Sequence, residues 1–128
     1  MRYLVDSHVL IWFRQGDRRL SKTARALLES VQHTPIVSMA THFELAAKAA
    51  KGMLKLGTPV DVFIGDYLSV NDGVLLSILS IHCRKLEQMP AHHGDPFDRM
   101  LIAQSVVESI PIVTGDHEMR KYEAQLIW

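Results

Sequence analysis

Short apolar segments of strand length alternate along this chain with segments of helical periodicity, and this alternation limits the fold more than any other feature. The apolar segments cover residues 3–5, 36–37, 74–79, 110–113 and 126–127. Short strands separated by helices pair in parallel through right-handed crossovers and need helices on both faces of the sheet. The sequence therefore predicts a three-layer α/β/α sandwich around a central, mostly parallel sheet of about five short strands.

Helices are predicted between the strands from apolar spacing and from residues typical of helix ends. Ser21 is a suitable N-cap for a helix to about residue 32, and Val31 belongs to its apolar face. Thr58 and Pro59 predict a cap followed by proline in the first helical position. The other predicted helices cover residues 9–13, 40–51, 60–68, 81–89, 96–108 and a short segment after 116. The helix at 96–108 is apolar around more than half of its circumference, so it should be buried on several sides.

The size and composition of the chain are those of one globular domain. It has 128 residues, of which 48% are hydrophobic and 22% are charged, so a packed core is expected. The 14 basic and 14 acidic residues cancel, which excludes a wholly basic nucleic-acid coat. No repeat or linker-like stretch interrupts the chain. Residues 1–128 are therefore interpreted as a single domain.

Cysteine usage and the start of the chain predict the compartment. The single Cys83 cannot form an intramolecular disulfide and is expected to be a small core residue. Asp6 and His8 interrupt the first apolar run, which lacks the length and cleavage site of a secretory signal. No uncharged apolar stretch reaches the roughly 18 residues of a membrane span. The expectation is a cytoplasmic protein that does not cross a membrane.

Five acidic residues lie close to predicted strand ends. Asp6 and Asp116 each come one to three residues after an apolar strand, and the carboxyl ends of parallel strands meet at one edge of a sheet. Asp95 and Asp98 are three residues apart, on one face of the first turn of the buried helix. Glu44 lies early in the helix that follows the second strand. The sequence therefore predicts that these carboxylates converge.

Each of these acids also has a purely structural interpretation. Asp6, Asp95 and Asp116 suit helix N-caps, and Glu44 can pair with Lys48 at i, i+4. However, two carboxylates about 4 Å apart repel by about 4 kcal/mol at an effective dielectric constant near 20. A convergent cluster therefore needs protons or cations. With only oxygen ligands available, the sequence favours Mg²⁺ or Mn²⁺ over zinc, and these ions suit phosphoryl chemistry.

Four segments in this order carry a resemblance to a known family: YLVDSHVLIW, VSMATHFELAAKAAKGMLKL, MPAHHGDPFDRMLIAQS and IVTGDH. Together they resemble the PIN-domain nucleases of the VapC toxin type over nearly the whole chain. The pattern HHxDPFDRxLIAQ is the most specific part. The resemblance implies that Asp6, Glu44, Asp98 and Asp116 are catalytic, metal-binding acids, and that Asp95 is an additional acid of the subgroup.

The same resemblance implies an activity and partners. The expected activity is a divalent-metal-dependent endoribonuclease that leaves 5′-phosphate and 3′-hydroxyl ends and is silenced by a cognate VapB-like antitoxin. A homodimer is also implied, and Trp12, Phe13 and Trp128 are expected in the core or on the dimer surface. Candidates for contacts with RNA or the antitoxin are Arg14, Lys48, Lys51, His93 and Arg99. The alternative is a solvated helix face for the basic residues and loop structure for His93.

Two other functions stay open at this point. A PIN module that has lost catalysis would act through partner binding, although the acid set is intact. A phospho-receiver domain has a similar length and α/β organisation. It needs an acidic pair at the first strand, where this chain offers Asp6 alone, and an aspartate after the middle strand, where Gly57 and Thr58 stand.

Overall fold

The computed structural model describes residues 1–128 and contains one five-stranded sheet. The strands are, in chain order, β1 (Arg2–Val5), β2 (Thr34–Ser38), β3 (Val74–Leu76), β4 (Ile112–Val113) and β5 (Leu126–Ile127). Every pairing is parallel, and the order across the sheet is β3-β2-β1-β4-β5. The predicted α/β sandwich with a parallel sheet of five short strands is confirmed.

Six α-helices and one short 3₁₀ helix connect the strands. They are α1 (Ser7–Gln15), α2 (Lys22–Glu29), α3 (Met39–Ala50), α4 (Val60–Val70), α5 (Ser80–Gln88), α6 (Pro96–Glu108) and the 3₁₀ helix (His117–Lys121). None of these helices combines the length and the apolar character that a membrane span requires. The bounds of α6 coincide with the predicted helix at 96–108, and its central residues are buried as predicted.

Successive residues of the central strand enter two different cores, one on each face of the sheet. Tyr3 and Val5 pack in the core that includes Leu28 and other residues of α1 to α4. Leu4, between them, packs in the second core with Ile102 of α6. This alternation follows from the two-residue period of a strand. Helices therefore cover both faces of the sheet.

The second helix is shorter than its apolar spacing predicts. It ends at Glu29, and Val31 is 91% exposed rather than part of the apolar face. Ser30 adopts an extended backbone because the chain must turn back to the sheet. There the Thr34 N–H donates to the Met1 carbonyl beside β1. Strand pairing thus overrides the helical pattern at this end.

The third and fourth strands are also shorter than predicted. At the third strand the Leu79 N–H donates to His82 Nδ1, so the segment after Leu76 already leads into α5. At the fourth strand the Ile110 N–H donates to the Ser105 carbonyl and closes the end of α6. The Pro111 carbonyl then accepts the Leu4 N–H, and β4 itself starts at Ile112, which pairs with Leu4.

Two smaller predictions are wrong. Thr58 does not cap α4, because Pro59 occupies the N-cap position with an extended backbone and no side-chain cap bond. Cys83 is exposed rather than buried. It lies on α5, where the buried residue is its neighbour His82, and adjacent positions on a helix point in different directions.

The strand order puts a topological switch point between β1 and β4. Strands β2 and β3 extend the sheet on one side of β1, and β4 and β5 extend it on the other. The Asp6 N–H donates to the Val113 carbonyl, so the two strands end side by side. Ligands of open α/β sheets bind at the carboxyl ends of strands at such a point. The order also differs from the 2-1-3-4-5 order of receiver domains, which excludes that alternative.

Candidate active site

Asp6 follows β1 directly and is only 2% exposed. Its Oδ1 accepts a hydrogen bond from the Ser7 N–H at 2.7 Å, and its Oδ2 accepts one from Thr114 Oγ1 at 2.7 Å. His8 Nδ1 lies 3.3 Å from the same Oδ2. Burial raises the pKa of Asp6, and His8 and the hydrogen bonds from Thr114 and Ser7 only partly oppose it. The carboxylate is thus held rigidly at the switch point.

Glu44 is buried on α3 and connected to Asp6 through Ser7. Its Oε2 accepts hydrogen bonds from Ser7 Oγ at 3.1 Å and from Lys48 Nζ at 2.7 Å. The i, i+4 pair with Lys48 therefore exists, but Glu44 is 6% exposed and not on a solvated face. The hydrogen bond from Lys48 to Glu44 raises the pKa of Lys48, and the charges of Asp95 and Asp98 add to this effect. The start of α6 is therefore close to α3.

Asp95 and Asp98 have different roles at the start of α6. Asp95 is the N-cap, because its Oδ1 accepts the N–H groups of Phe97 at 2.8 Å and Asp98 at 3.3 Å. The Asp98 side chain makes no cap bond. Burial, followed by the charges of Asp6 and Asp95, raises the pKa of Asp98 to about 7. Burial is therefore the main reason that this carboxyl group resists ionisation, and the neighbouring like charges add to it.

His93 bridges Asp98 and Asp116 within the acid cluster. Its Nε2 lies 3.2 Å from Asp98 Oδ2 and 2.9 Å from Asp116 Oδ2, and its Nδ1 accepts the Asp95 N–H at 3.1 Å. An accepting Nδ1 carries no proton, so Nε2 carries the proton and directs it at the carboxylates. The hydrogen bond to Asp116 raises the pKa of His93. The His93 side chain therefore contacts two acids of the cluster and is not only a loop residue.

Asp116 closes the cluster on the side of β4. Its Oδ1 accepts the Glu118 N–H at 2.9 Å and caps the 3₁₀ helix, and its own N–H donates to Thr114 Oγ1 at 3.0 Å. Burial acts to raise the pKa of Asp116, but the hydrogen bonds from His93 and Glu118 outweigh burial and lower it. Asp116 is therefore a negatively charged carboxylate and also the N-cap of the 3₁₀ helix.

The donor atoms of this cluster fit a hard divalent cation. Ligand atoms of His93, Asp98 and Asp116 all lie within 4.8 Å of one another. The atoms free to bind are carboxylate oxygens, since His93 Nε2 carries a proton in this arrangement. Oxygen donors suit Mg²⁺ or Mn²⁺. The charges of Asp6 and Asp95, which add to burial in raising the pKa of Asp98, are charges that such a cation would offset.

The basic residues predicted to contact RNA or an antitoxin are dispersed. Lys48 reaches Glu44, and Lys51 is exposed at the C-cap of α3. Arg14 lies 5.5 Å from the Phe63 ring centroid, and its Nη2 donates to the Leu56 carbonyl at 3.5 Å. Arg99 is directed elsewhere, since its Nη2 donates to the carbonyls of Leu86 at 3.2 Å and Met89 at 3.3 Å at the end of α5. We therefore leave Arg99 out of the proposed contact set.

Four residues that organise the site were not singled out in the sequence as site residues: Ser7, His8, Thr114 and Tyr122. Ser7 and Thr114 had a usable signal, because each is a hydroxyl residue within two positions of an acid at a strand end. Tyr122 Oη accepts the His93 N–H at 2.8 Å and holds the loop before α6. Its separation of 29 residues from His93 left no local pattern.

Comparison of the chain with known proteins identifies its family. The PIN domain model matches residues 3–125. Ribonuclease VapC22 of Mycobacterium tuberculosis (strain ATCC 25618 / H37Rv) is 26% identical over 119 residues, which cover 93% of this chain and 90% of that protein.

Solved structures share the fold at low sequence identity. VapBC2 from Rickettsia felis, bound to a promoter DNA fragment, matches with a TM-score of 0.75 and 12% identity over 99% of this chain and 98% of that chain. A toxin-antitoxin complex from Klebsiella pneumoniae matches with a TM-score of 0.65 and 15% identity over 98% of this chain and 96% of that chain. Because the family model covers nearly the whole chain, this protein belongs to the PIN domain family.

Proposed function

We propose that this protein is a divalent-metal-dependent endoribonuclease that hydrolyses RNA to 5′-phosphate and 3′-hydroxyl ends as the toxin of a toxin–antitoxin pair. The observation that carries the proposal is the cluster of Asp6, Glu44, Asp98 and Asp116 at the switch point of the sheet. The pKa of Asp98, raised to about 7 by burial and by the charges of Asp6 and Asp95, supports a cation as the ligand of this cluster. The similarity to Ribonuclease VapC22 supports RNA as the substrate.

The chain's own residues supply the positioning for this reaction. A divalent cation bound among the carboxylates would lower the pKa of a water molecule and neutralise charge on the leaving oxygen. Asp6 and Glu44 are fixed by Ser7 and Thr114, so their oxygens are in place before a ligand arrives. His93 holds its Nε2–H between Asp98 and Asp116 and keeps these two acids oriented. No protein nucleophile is needed.

Lys48, Lys51 and Arg14 are the proposed contacts to the RNA backbone. Lys48 and Lys51 follow Glu44 along α3, and the side chain of Lys48 is 47% exposed. Contacts between such cations and phosphates position a nucleic acid without reading its sequence. We propose that these residues orient the strand towards the carboxylates.

Total RNA incubated with the purified protein tests the activity directly. With Mg²⁺ we expect new 5′-phosphate ends, which sequencing of 5′ ends maps to discrete sites. With excess chelator we expect none, because the carboxylates alone supply no electrophile. Undiminished cleavage in chelator contradicts the metal mechanism. Metal binding without any cleavage identifies instead a PIN module that acts through a partner.

We also propose a cognate antitoxin as a partner, and the structure offers an apolar groove for it beside the acids. The groove has a volume of about 610 Å³ and includes Phe43 and Phe97, whose ring centroids are 5.7 Å apart. Phe43, which precedes Glu44, is 66% exposed, and exposed apolar patches mark protein–protein contacts. A segment bound there also reaches the carboxylates, where an Arg side chain can replace a cation. The homodimer stays a prediction.

Replacing Phe43 by Asp is expected to weaken antitoxin binding by at least about 10-fold, because exposed aromatic anchors dominate such interfaces. Calorimetric titration with the antitoxin measures the change. The matched control is Val70→Asp, which adds the same charge at a position 82% exposed on α4, outside the groove. Equal affinity of the two variants contradicts the groove as the binding site. A bound antitoxin that leaves RNA cleavage at full rate contradicts inhibition at the carboxylates.

A further inference from the structure

The loop that carries His93 has no backbone hydrogen bonds of its own. Residues 90–94 connect the end of α5 to Asp95, the N-cap of α6, and they belong to no helix or strand. None of the hydrogen bonds between backbone groups in the protein involves these residues. Side chains must therefore hold His93 in its position beside the acids.

The Tyr122 hydroxyl holds the backbone of His93. Its Oη accepts the His93 N–H at 2.8 Å, and the ring of Tyr122 contacts the His92 ring edge-on, with the centroids 5.3 Å apart. The Tyr122 ring itself packs against the core that contains Ile102 and Met119. Packing of the ring thus fixes the hydroxyl at the loop.

Tyr122 and Asp116 contact His93 from the two ends of the 3₁₀ helix. Asp116 is the N-cap of this helix and Tyr122 is its C-cap. Asp116 Oδ2 lies 2.9 Å from His93 Nε2, whereas Tyr122 binds the His93 backbone. Met119, between the two caps, is completely buried and anchors the helix in the core. One anchored segment therefore binds both the ring and the backbone of His93.

The backbone contact matters because the ring contacts of His93 demand a precise position. Nδ1 accepts the Asp95 N–H at 3.1 Å, and Nε2 is hydrogen-bonded to Asp116 and lies 3.2 Å from Asp98 Oδ2. A hydrogen bond weakens steeply when its angle is distorted. A shift of the His93 backbone would therefore misalign the ring with both carboxylates. Tyr122 itself is hydrogen-bonded to His93 and to neither carboxylate.

We propose that Tyr122 is a positioning residue of the acidic site: its hydroxyl fixes the backbone of His93, so that the His93 ring stays between Asp98 and Asp116 and keeps these carboxylates oriented for a divalent cation. The inference rests on the proposed function only in taking a divalent cation as the ligand of this site. Because Tyr122 is hydrogen-bonded to none of the acids, its effect on the cation must pass through His93.

A double-mutant cycle on Tyr122 and His93 tests this dependence. Tyr122→Phe removes the hydroxyl acceptor and keeps the ring. His93→Ala keeps the backbone N–H that Tyr122 binds and removes the ring that it positions. Titration with Mn²⁺, followed by electron paramagnetic resonance, measures the affinity of the unaltered protein, the two single variants and the double variant without RNA. Such a cycle isolates the effect that one side chain exerts through the other.

His93→Ala is expected to bind Mn²⁺ at least about 10-fold more weakly than the unaltered protein, because it loses a group that orients proposed metal-binding side chains. Tyr122→Phe should weaken Mn²⁺ binding by about 2–10-fold, the usual effect of one hydrogen bond. In the His93→Ala background the same Tyr122→Phe change should have almost no further effect, because no ring is left to position. His93→Ser takes the place of His93→Ala should that variant fail to fold.

Tyr3→Phe is the matched control for the loss of a tyrosine hydroxyl. Tyr3 Oη donates to the Leu27 carbonyl at 3.4 Å, in the core on the other face of the sheet. The variant therefore also loses one hydrogen bond but leaves His93 and its contacts in place. It should lower the melting temperature slightly and leave Mn²⁺ affinity unchanged.

An equal loss of Mn²⁺ affinity on Tyr122→Phe with and without the His93 ring overturns the proposal, since Tyr122 would then act on the fold alone. Unchanged affinity of Tyr122→Phe or of His93→Ala overturns it as well, as does failure of the unaltered protein to bind Mn²⁺. The expected cycle in a protein that does not cleave RNA removes the proposed nuclease function and leaves the role of Tyr122 intact. RNA cleavage without the expected cycle removes only the role of Tyr122.

Discussion

Replacing Asp6 by Asn is expected to reduce RNA cleavage by about two orders of magnitude or more. Groups that merely orient metal ligands are worth about 10–100-fold in affinity or activity, and Asp6 is itself a proposed ligand. Asn keeps the size of the side chain but removes the negative charge of this buried carboxylate. Initial rates on a fixed RNA substrate with saturating Mg²⁺ measure the effect. Glu44→Gln removes the charge of the second carboxylate that Ser7 contacts, and it should also reduce the rate of RNA cleavage.

The Asp6→Asn variant needs a control for stability. Asn has a single acceptor oxygen, so its amide group must face either the Ser7 N–H or the Thr114 hydroxyl. One mismatch of this kind in a buried site costs about 1–3 kcal/mol. Leu28→Ala, in the apolar core, destabilises the fold by a comparable or larger amount, about 2–5 kcal/mol, and leaves every acid in place. It should still cleave RNA, and cleavage at full rate by Asp6→Asn contradicts the proposed role.

Replacing Asp98 by Asn is expected to stabilise the metal-free protein at pH 8. The pKa of Asp98 is raised to about 7 by burial and by the charges of Asp6 and Asp95, so its ionised form opposes folding. The Asn amide oxygen can still accept the His93 Nε2–H, and the N-cap of α6 is Asp95, which is unchanged. After allowance for solvent screening, the gain is about 1–2 kcal/mol, or several degrees in melting temperature.

The pH dependence of this gain has a definite sign. A carboxyl group whose pKa is higher in the folded state than in the unfolded chain, near 3.9, favours folding when protonated. Its destabilising effect is complete above pH 7 and is lost progressively as the pH falls from about 7 towards 4. The difference in melting temperature between Asp98→Asn and the unaltered protein should therefore shrink over that interval. Differential scanning fluorimetry in chelator from pH 5 to 8 measures it.

Divalent metal should narrow the difference in melting temperature between the two proteins. A ligand at ten times its dissociation constant stabilises the folded state by about 1.4 kcal/mol, and Asp98→Asn should gain less because it has lost a proposed ligand. A lower melting temperature of Asp98→Asn in chelator, together with an unaltered response to Mg²⁺, shows that Asp98 is structural. In that case the repulsion argument fails at this position.

The class of fold could be predicted from local patterns. The alternation of strands and helices indicated the parallel sheet, and Asp95 with Pro96 marked the start of α6 at the correct residue. These patterns act over a few residues, through hydrogen bonds and apolar spacing within one element. Errors occurred where a distant strand competed with a local preference. At Val31 the pairing of β2 with β1 ended a helix whose apolar pattern continues.

The amino-acid sequence by itself determined which acids stand at the carboxyl edge of the sheet, since Asp6, Glu44, Asp98 and Asp116 follow from strand ends and helix starts. Only the tertiary structure decided how they are held. Ser7 joins Asp6 to Glu44, Thr114 donates to Asp6 from the end of β4, and His93 lies between Asp98 and Asp116. These contacts span up to 108 residues of sequence. They exist because β1 and β4 are neighbours, and that adjacency is set by packing of the whole sheet and not by any local pattern.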